Sequence, residues 1–310
     1  IALGAANDRD LAQWLPIWLR WYRQPGTPVV TATPVWDAAA GELRLTLTQT
    51  QAALDGHPKP EPLPIPVRLG LIGEQGALSV SLQGELADDF LLMLDQPSQT
   101  WVFSGVNEAP VLSLFRDFSA PVRVDYACDD AALARLVRVD SNGFNRWAAA
   151  QELATREIVA LAELIRRGDV RARAGRSSVL ADALAAIWPA LAGSDPALAV
   201  KLLELPSLGY LAEQVAVYDP AALHAAREQV LLAICTPLAA SFRSILQAGV
   251  MLQPYVYDAE AIAGRALART ALDALARLAP AEAGAIALQW LSAAPHMTAE
   301  QSALTLLVHH

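Results

Sequence analysis

Five histidines are the first residues to consider for metal or acid–base chemistry, because imidazole binds metal ions and titrates near neutral pH. They are His57, His224, His296, His309 and His310. None lies four positions from another histidine, so the sequence contains no HExxH zinc motif. His224 lies four residues before Glu228 on a predicted helix, but a zinc site needs at least a third protein ligand. The spacing indicates a surface His–Glu pair. The alternative is an independent hydrolase that uses His224, but no partner residues lie at catalytic spacing from this histidine.

Serine and glycine patterns that would indicate nucleophilic catalysis or phosphate binding do not occur in the sequence. It has no G-x-S-x-G, no G-x-G-x-x-G and no P-loop. Ser177 and Ser178 precede a predicted helix and are interpreted as a helix cap. The stretch Gly249–Gln253 superficially resembles a GxMxN substrate-binding segment, but it lies at a predicted helix end and finishes in Gln. We therefore predict no catalytic residue and no metal ligand in this chain, and we assign no substrate-binding residue.

Two groups of arginines could bind an anion. Residues 166–176 contain five arginines in eleven positions between two predicted helices. Arg265 and Arg269 lie one helical turn apart, on one predicted helix face. A solvated loop and a solvated helix face are the simpler interpretations of these groups. The alternative is that they anchor a carboxylate or a neighbouring domain.

Charge and cysteine content narrow the classes of partner. The net charge of −9 opposes binding to a phosphate backbone, so we expect no nucleic-acid partner. Cys128 and Cys235 are interpreted as buried free thiols of a reducing compartment, which predicts a cytoplasmic location.

The longest stretch without a charged residue, 283–299, contains Gln289 and Pro295, so we expect no membrane span. No basic segment followed by an apolar one opens the chain, so no signal peptide is predicted.

The elements that would position these residues change in character near residue 126. Twelve of the 20 prolines lie before that point. Leu43, Leu45 and Leu47 alternate with polar residues, the pattern of a half-buried strand. About seven such strands, with a hairpin turn at 73–76, predict a small antiparallel β-sandwich. Proline at every second position from 58 to 66 predicts an extended edge segment.

Helices are predicted on both sides of this sandwich. Residues 10–23 carry Trp14, Trp18 and Trp21 at helical spacing. After Asp129 strong helix formers dominate and predict about eight helices of 10–25 residues. Three aspartates offer helix N-caps: Asp195, Asp219 and Asp258. Helix stops are predicted at Gly168, Gly193, Pro206, Pro254 and Pro280. The Asp-Pro pair recurs after 24 residues, which indicates stacked helical pairs.

Four stretches of the sequence resemble one protein family in the same order. Residues 20–30 read RWYRQPGTPVV, residues 113–122 read SLFRDFSAPV, and residues 140–153 read DSNGFNRWAAAQEL. They are similar to the RWYxQxGTPxV, LLRxFSAPV and NDFxRWxAxQxL stretches of bacterial aminopeptidase N, a family of zinc metallopeptidases. Residues 205–228 are similar to the helices that follow in that family. The resemblance covers nearly the whole chain.

The resemblance implies an α+β multidomain fold, with a small antiparallel β-sandwich followed by an all-α superhelical domain of stacked helix pairs. It divides the chain into the last helix of a catalytic domain (1–24), the sandwich (25–127) and a truncated helical C-terminal domain (128–310). The family's HExxH, GxMxN and oxyanion tyrosine would all lie before residue 1. The chain is therefore expected to be a fragment without a zinc site, serving as scaffold and cavity wall, while zinc belongs to the full-length parent.

The resemblance also implies partners. These are the missing N-terminal and catalytic domains of the same polypeptide and, in the parent, peptides that lose their N-terminal residue; nucleic acid and membranes are not expected. A lost interface over Trp14, Trp18 or Trp21 predicts self-association. The alternative is a stand-alone sandwich and helical-repeat module that binds a protein or peptide.

Overall fold

The computed structural model describes residues 15–53, 55–56, 58–169 and 178–309. The chain forms two compact units that divide between Asn145 and Arg146. Strands dominate the first unit, and the second is helical. The predicted class, a β-sandwich followed by a helical domain, is therefore confirmed.

The described part of the first unit contains nine strands in two sheets. They are β1 (Val29–Asp37), β2 (Glu42–Thr50), β3 (Ile65–Ile72), β4 (Val80–Leu82), β5 (Glu85–Ala87), β6 (Phe90–Leu94), β7 (Ser98–Ser104), β8 (Val111–Leu114) and β9 (Arg123–Asp125). One sheet has the order β5-β4-β7-β2-β1-β9 and the other β6-β3-β8. Neighbouring strands are antiparallel, except that β9 pairs parallel to β1.

Alternating side chains from both sheets form the sandwich core. Leu43, Leu45 and Leu47 of β2 are buried as the two-residue period predicts. The middle strand β3 buries side chains in the same way, and the rings of Phe90 and Phe103 meet edge to face at 5.2 Å. The sandwich therefore has one continuous apolar core.

Two details of the sandwich differ from the sequence predictions, and one predicted turn is confirmed. The described residues form nine strands, not about seven, and β4 and β5 have only three residues each, too few to display a two-residue period. Pro66 lies in the middle strand β3 and not in an edge segment, whereas residues 58–64 form no strand. Proline is tolerated there because β8 pairs with β3 only from Leu69 onward. The predicted turn at 73–76 is confirmed, since the Gly73 amide donates to the Gly76 carbonyl at 2.8 Å.

The segment before the sandwich is helical but not continuous. Residues 15–18 are helical, Leu19 interrupts them, and α1 (Arg20–Arg23) follows. Residues 10–14 of the predicted helix, including Trp14, lie outside the described residues. The Trp21 indole donates to the Pro64 carbonyl at 3.0 Å and packs on the sandwich core. Trp21 therefore finds its packing surface within this chain.

A buried arginine ties the 3₁₀ turn after β8 to its surroundings. The side chain of Arg116 is 2% exposed. It donates to Asp140 at 2.8 Å, to Asp89 at 2.9 Å and to Ser113 at 3.0 Å. These contacts connect β8 with the segment that follows α2 (Asp130–Val139), all within the first unit.

Eight further α-helices follow in the described residues. They are α3 (Gly143–Arg166), α4 (Val179–Ser194), α5 (Pro196–Leu203), α6 (Leu208–Ala212), α7 (Pro220–Gln247), α8 (Ala259–Leu278), α9 (Pro280–Ala293) and α10 (Met297–His309). The three predicted caps are confirmed. The carboxylates of Asp195, Asp219 and Asp258 accept from backbone amides three residues ahead, at 2.9, 3.0 and 2.7 Å.

Helix lengths range more widely than predicted, from five residues in α6 to 28 in α7. Gly193 lies inside the last turn of α4, one residue before the helix ends. Pro280 opens α9 at its first position, directly after the cap residue that also ends α8. Pro189 and Pro237 lie within α4 and α7, because packing overrides the helix-breaking tendency of an interior proline.

One described stretch, Pro220–Leu252, is long and apolar enough to cross a membrane by length and composition. The stretch contains Arg227, Glu228 and Arg243, so it is not among the segments without a charged residue. The core helix of a soluble protein meets the same criteria of length and composition. The absence of a membrane partner stays a prediction.

Candidate functional site

The predicted His224–Glu228 pair does not form in the structure. His224 is exposed, and Glu228 instead accepts from Arg277 at 3.2 Å. His296 accepts the Ala299 amide through Nδ1, while His57 and His310 lie outside the described residues. Across residues 15–53, 55–56, 58–169 and 178–309, no three His, Cys, Asp or Glu side chains group closely enough to hold a metal ion. The described residues therefore do not fit a zinc site.

The serine and glycine candidates have local structural roles. Ser178 caps α4 by accepting the Ala181 amide at 3.0 Å, whereas Ser177 lies outside the described residues. Gly249 adopts a φ of 68° and leads into the 3₁₀ turn Val250–Leu252, in which Met251 is fully buried. This stretch joins α7 to the loop before α8 and lies on no strand.

Neither cysteine forms a disulfide. Cys235 is buried as predicted, whereas Cys128 is only half-buried. Desolvation raises the pKa of Cys235 to about 11, an effect that the nearby Arg277 charge only partly offsets. The thiol is therefore protonated at neutral pH, which makes it a poor nucleophile and a poor metal ligand.

The two described arginines of the first group share one carboxylate. Arg166 and Arg167 both donate to Glu163, at 2.8 and 2.6 Å. These hydrogen bonds lower the pKa of Glu163 to about 2, with the arginine charges adding to the effect. The remaining arginines, Arg171, Arg173 and Arg176, lie outside the described residues.

The second arginine group opens onto a cavity of about 640 Å³ in the helical unit. Helix α8 presents Arg265, Arg269, Asp273 and Arg277 to it at four-residue spacing. Side chains from α5, α7, α10 and the loop before α8 complete the wall: Leu203, Leu231, Cys235, Thr298 and Tyr255. The structure therefore places both sequence-identified arginines in one site.

Arg265 is the most enclosed charged group of this cavity. The residue is buried, with 6% exposure. The guanidinium lies 4.7 Å from the centre of the Tyr255 ring and donates to the Val256 carbonyl at 3.0 Å. The Tyr255 ring in turn meets the His296 ring edge to face at 5.7 Å. These contacts hold the guanidinium against an aromatic rim.

The other charged side chains of the cavity have partners of opposite sign. Arg277 pairs with Glu228, and Arg269 pairs more loosely with Asp273 at 3.9 Å. Glu204 accepts from Lys201 at 2.9 Å. Among the described residues, no carboxylate lies within 4 Å of Arg265. The arrangement can therefore bind an anion, and it contains no nucleophile paired with a base.

Sequence reasoning recognised Arg265 and Arg269 but missed Arg277, Tyr255 and the apolar wall. Arg277 continues the four-residue spacing, so an extended search along the helix face would have found it. Nothing in the local pattern around Tyr255 or Leu203 indicates that either residue meets this face. Those two come from separate elements, which only the tertiary structure brings together.

Two family descriptions match the chain in succession. "Domain of unknown function (DUF3458) Ig-like fold" matches residues 26–127. "Domain of unknown function (DUF3458_C) ARM repeats" matches residues 130–310. The second match covers more than half of the chain. The predicted boundaries at 24/25 and 127/128 remain predictions.

Three relatives are named aminopeptidase N. The chain is 32% identical over 278 residues to the Escherichia coli protein and 36% identical over 293 residues to the Caulobacter vibrioides protein. It is 30% identical over 279 residues to the Haemophilus influenzae protein. These alignments cover 89%, 94% and 89% of this chain but only 31%, 32% and 31% of the relatives. The chain thus spans about a third of their length.

A solved structure supports the fold. Legionella pneumophila aminopeptidase A, in complex with aspartic acid, superposes with a TM-score of 0.73 at 22% identity. The match covers 95% of this chain and 33% of that one. The chain belongs to the DUF3458_C ARM-repeat family, and an Ig-like DUF3458 domain precedes the ARM-repeat part within the same chain. It is similar to the C-terminal region of aminopeptidase N.

Proposed function

We propose that this chain is the C-terminal, non-catalytic region of a zinc-dependent aminopeptidase that removes N-terminal residues from peptides. The similarity to three aminopeptidases N over 89–94% of the chain is the observation that carries the proposal. Because the chain matches about a third of each relative, hydrolysis is assigned to the whole protein.

In this proposal the chain acts as scaffold and cavity wall. Its described residues do not fit a zinc site, so no step of hydrolysis is assigned to them. Their contribution is to bind substrate and to exclude water from it. The partners are the remaining domains of the same polypeptide. The location is cytoplasmic, which two cysteines without a disulfide support.

Joining the chain to its upstream coding region tests the proposal. We expect the joined protein to hydrolyse an alanine anilide in a chelator-sensitive manner and to contain zinc. The 310-residue chain alone should show neither property. A correctly folded joined protein without turnover would overturn the proposal. Zinc and turnover in the 310-residue chain alone would contradict the scaffold role, and His224 and Glu228 would then be mutated first.

The second candidate function is a stand-alone module that binds a protein or peptide. The ARM-repeat match and a cavity walled by helices of one unit favour it. It predicts a coding frame that begins at this segment and a specific partner for the isolated chain. A coding frame that continues upstream into a zinc-binding domain would contradict it.

A further inference from the structure

We propose that the cavity on α8 binds the terminal carboxylate of a peptide and that Arg265 is its anchor. The choice of a peptide rests on the proposed function. The choice of a carboxylate rests on the burial of Arg265, on the charges that line the cavity and on the size of the cavity.

Burial and charge single out Arg265. A guanidinium carries five N–H donors in a planar fork, and removing it from water is costly unless those donors and the charge are compensated. One donor is used by the Val256 carbonyl, and one face of the group is covered by Tyr255. Among the described residues no carboxylate lies within 4 Å of it. A ligand carboxylate would supply two parallel hydrogen bonds and the missing charge.

The neighbouring arginines, Arg277 and Arg269, are less suited to anchor the carboxylate. Arg277 is engaged by Glu228 and by the carbonyl of Asp273. Arg269 is exposed, and its pair with Asp273 is long at 3.9 Å. Arg269 can therefore turn to a bound anion as a second, weaker contact, whereas Arg265 is already held in place.

Shape and the remaining charges narrow the ligand further. A volume of about 640 Å³ fits a small molecule or the end of a peptide. Val200, Leu203 and Leu231 give the wall an apolar part. Glu204 and Asp273 also line it and disfavour a second negative charge beside the first. The site thus suits one carboxylate next to an apolar side chain, as at the end of a peptide with a C-terminal apolar residue.

Calorimetric titration of the 310-residue chain with matched peptides tests the proposal. The probes are Ala-Ala-Phe with a free carboxylate and the same peptide as its C-terminal amide. Because hydrogen bonds to charged groups are the stronger ones, we expect the amide to bind at least about tenfold more weakly. Ala-Asp-Phe amide carries its carboxylate on a side chain and should bind as weakly as the plain amide.

Variants locate the binding to the cavity. Arg265→Gln should remove the preference for the free acid, and Arg265→Lys should restore part of it, because lysine keeps the charge without the fork. Arg269→Gln should also weaken binding of the free-acid peptide, by a smaller factor than Arg265→Gln. Arg243→Gln is the matched control, since Arg243 pairs with Glu282 and does not line the cavity.

The outcomes separate this inference from the proposed function. Equal affinity for acid and amide, no binding of either, or an Arg265→Gln variant that keeps the preference would overturn the inference. If Arg265→Gln does not fold, the acid–amide comparison and Arg269→Gln still decide. Tight binding of Ala-Asp-Phe amide would overturn the assignment to a terminal carboxylate. Alanine anilide has no carboxylate, so its hydrolysis by the joined protein tests the proposed function independently.

Discussion

Gly70 lies directly against the guanidinium of Arg116. A Cβ at this position would come within 2.5 Å of Arg116 Cζ, and Arg116 cannot move freely because Asp140 and Asp89 hold it. We therefore expect Gly70→Ala to lower the free energy of unfolding by about 1–3 kcal/mol, the usual cost of overpacking. Urea unfolding followed by tryptophan fluorescence measures this loss.

Gly284→Ala is the control for this substitution. The added Cβ meets nothing within 4 Å in α9, and alanine is the better helix former, so a gain of about 0.5–1 kcal/mol is expected. Wild-type stability of Gly70→Ala would show that the Arg116 side chain relocates without cost, contrary to its tight environment.

The second prediction at the residue scale concerns the buried thiol of Cys235. Burial raises its pKa from 9.0 to about 11, so the folded state holds the thiol proton more tightly than the unfolded state. The stability that results is complete below pH 9 and is lost as the pH rises through about 11. At pH 8 we expect Cys235 to resist iodoacetamide in the folded chain and to react after unfolding in urea.

Mass spectrometry of the digested chain locates the modified thiol. Cys235→Ser should abolish the slowly reacting site and leave the other cysteine peptide unchanged. Rapid alkylation of Cys235 in the folded chain would contradict its buried, protonated state.

At the scale of the element, the start of α7 depends on one carboxylate. Asp219 accepts the Ala222 amide at 3.0 Å, and Pro220 occupies the first helical position. Asp219→Ala should cost about 1 kcal/mol of the free energy of unfolding, because a backbone donor loses its partner. Asp219→Asn should retain most of the stability, since an amide oxygen also caps. Equal losses for both variants in thermal unfolding would exclude capping as the cause.

At the scale of the molecule, the last two helices expose apolar side chains. Leu288 of α9 and both Leu304 and Val308 of α10 are exposed. These exposed side chains predict concentration-dependent self-association in sedimentation velocity. A double variant, Leu288→Lys with Val308→Lys, should reduce it.

Val35→Lys is the matched control, because Val35 is an exposed apolar residue on β1 of the other unit. It should leave the sedimentation profile unchanged. A single monomeric boundary for the wild-type chain at high concentration would contradict the prediction.

Local sequence determined those parts of the fold that depend on neighbouring residues. The caps at Asp195, Asp219 and Asp258 were predictable, because a cap involves only a side chain and an amide three residues ahead. The burial of Leu43, Leu45 and Leu47 was predictable from their period alone. Pro66 in a middle strand was not, because its tolerance depends on where the partner strand β8 begins to pair.

The family relationship was also accessible from sequence, since four ordered stretches indicated the resemblance that the alignments confirm. The spacing of Arg265 and Arg269 placed both on one helix face, but spacing does not show what a face meets. Only the tertiary structure brought Tyr255, Leu203 and Leu231 from three other segments to that face and enclosed the guanidinium of Arg265. A cavity is made of long-range contacts, and the period of a single helix carries no information about its neighbours.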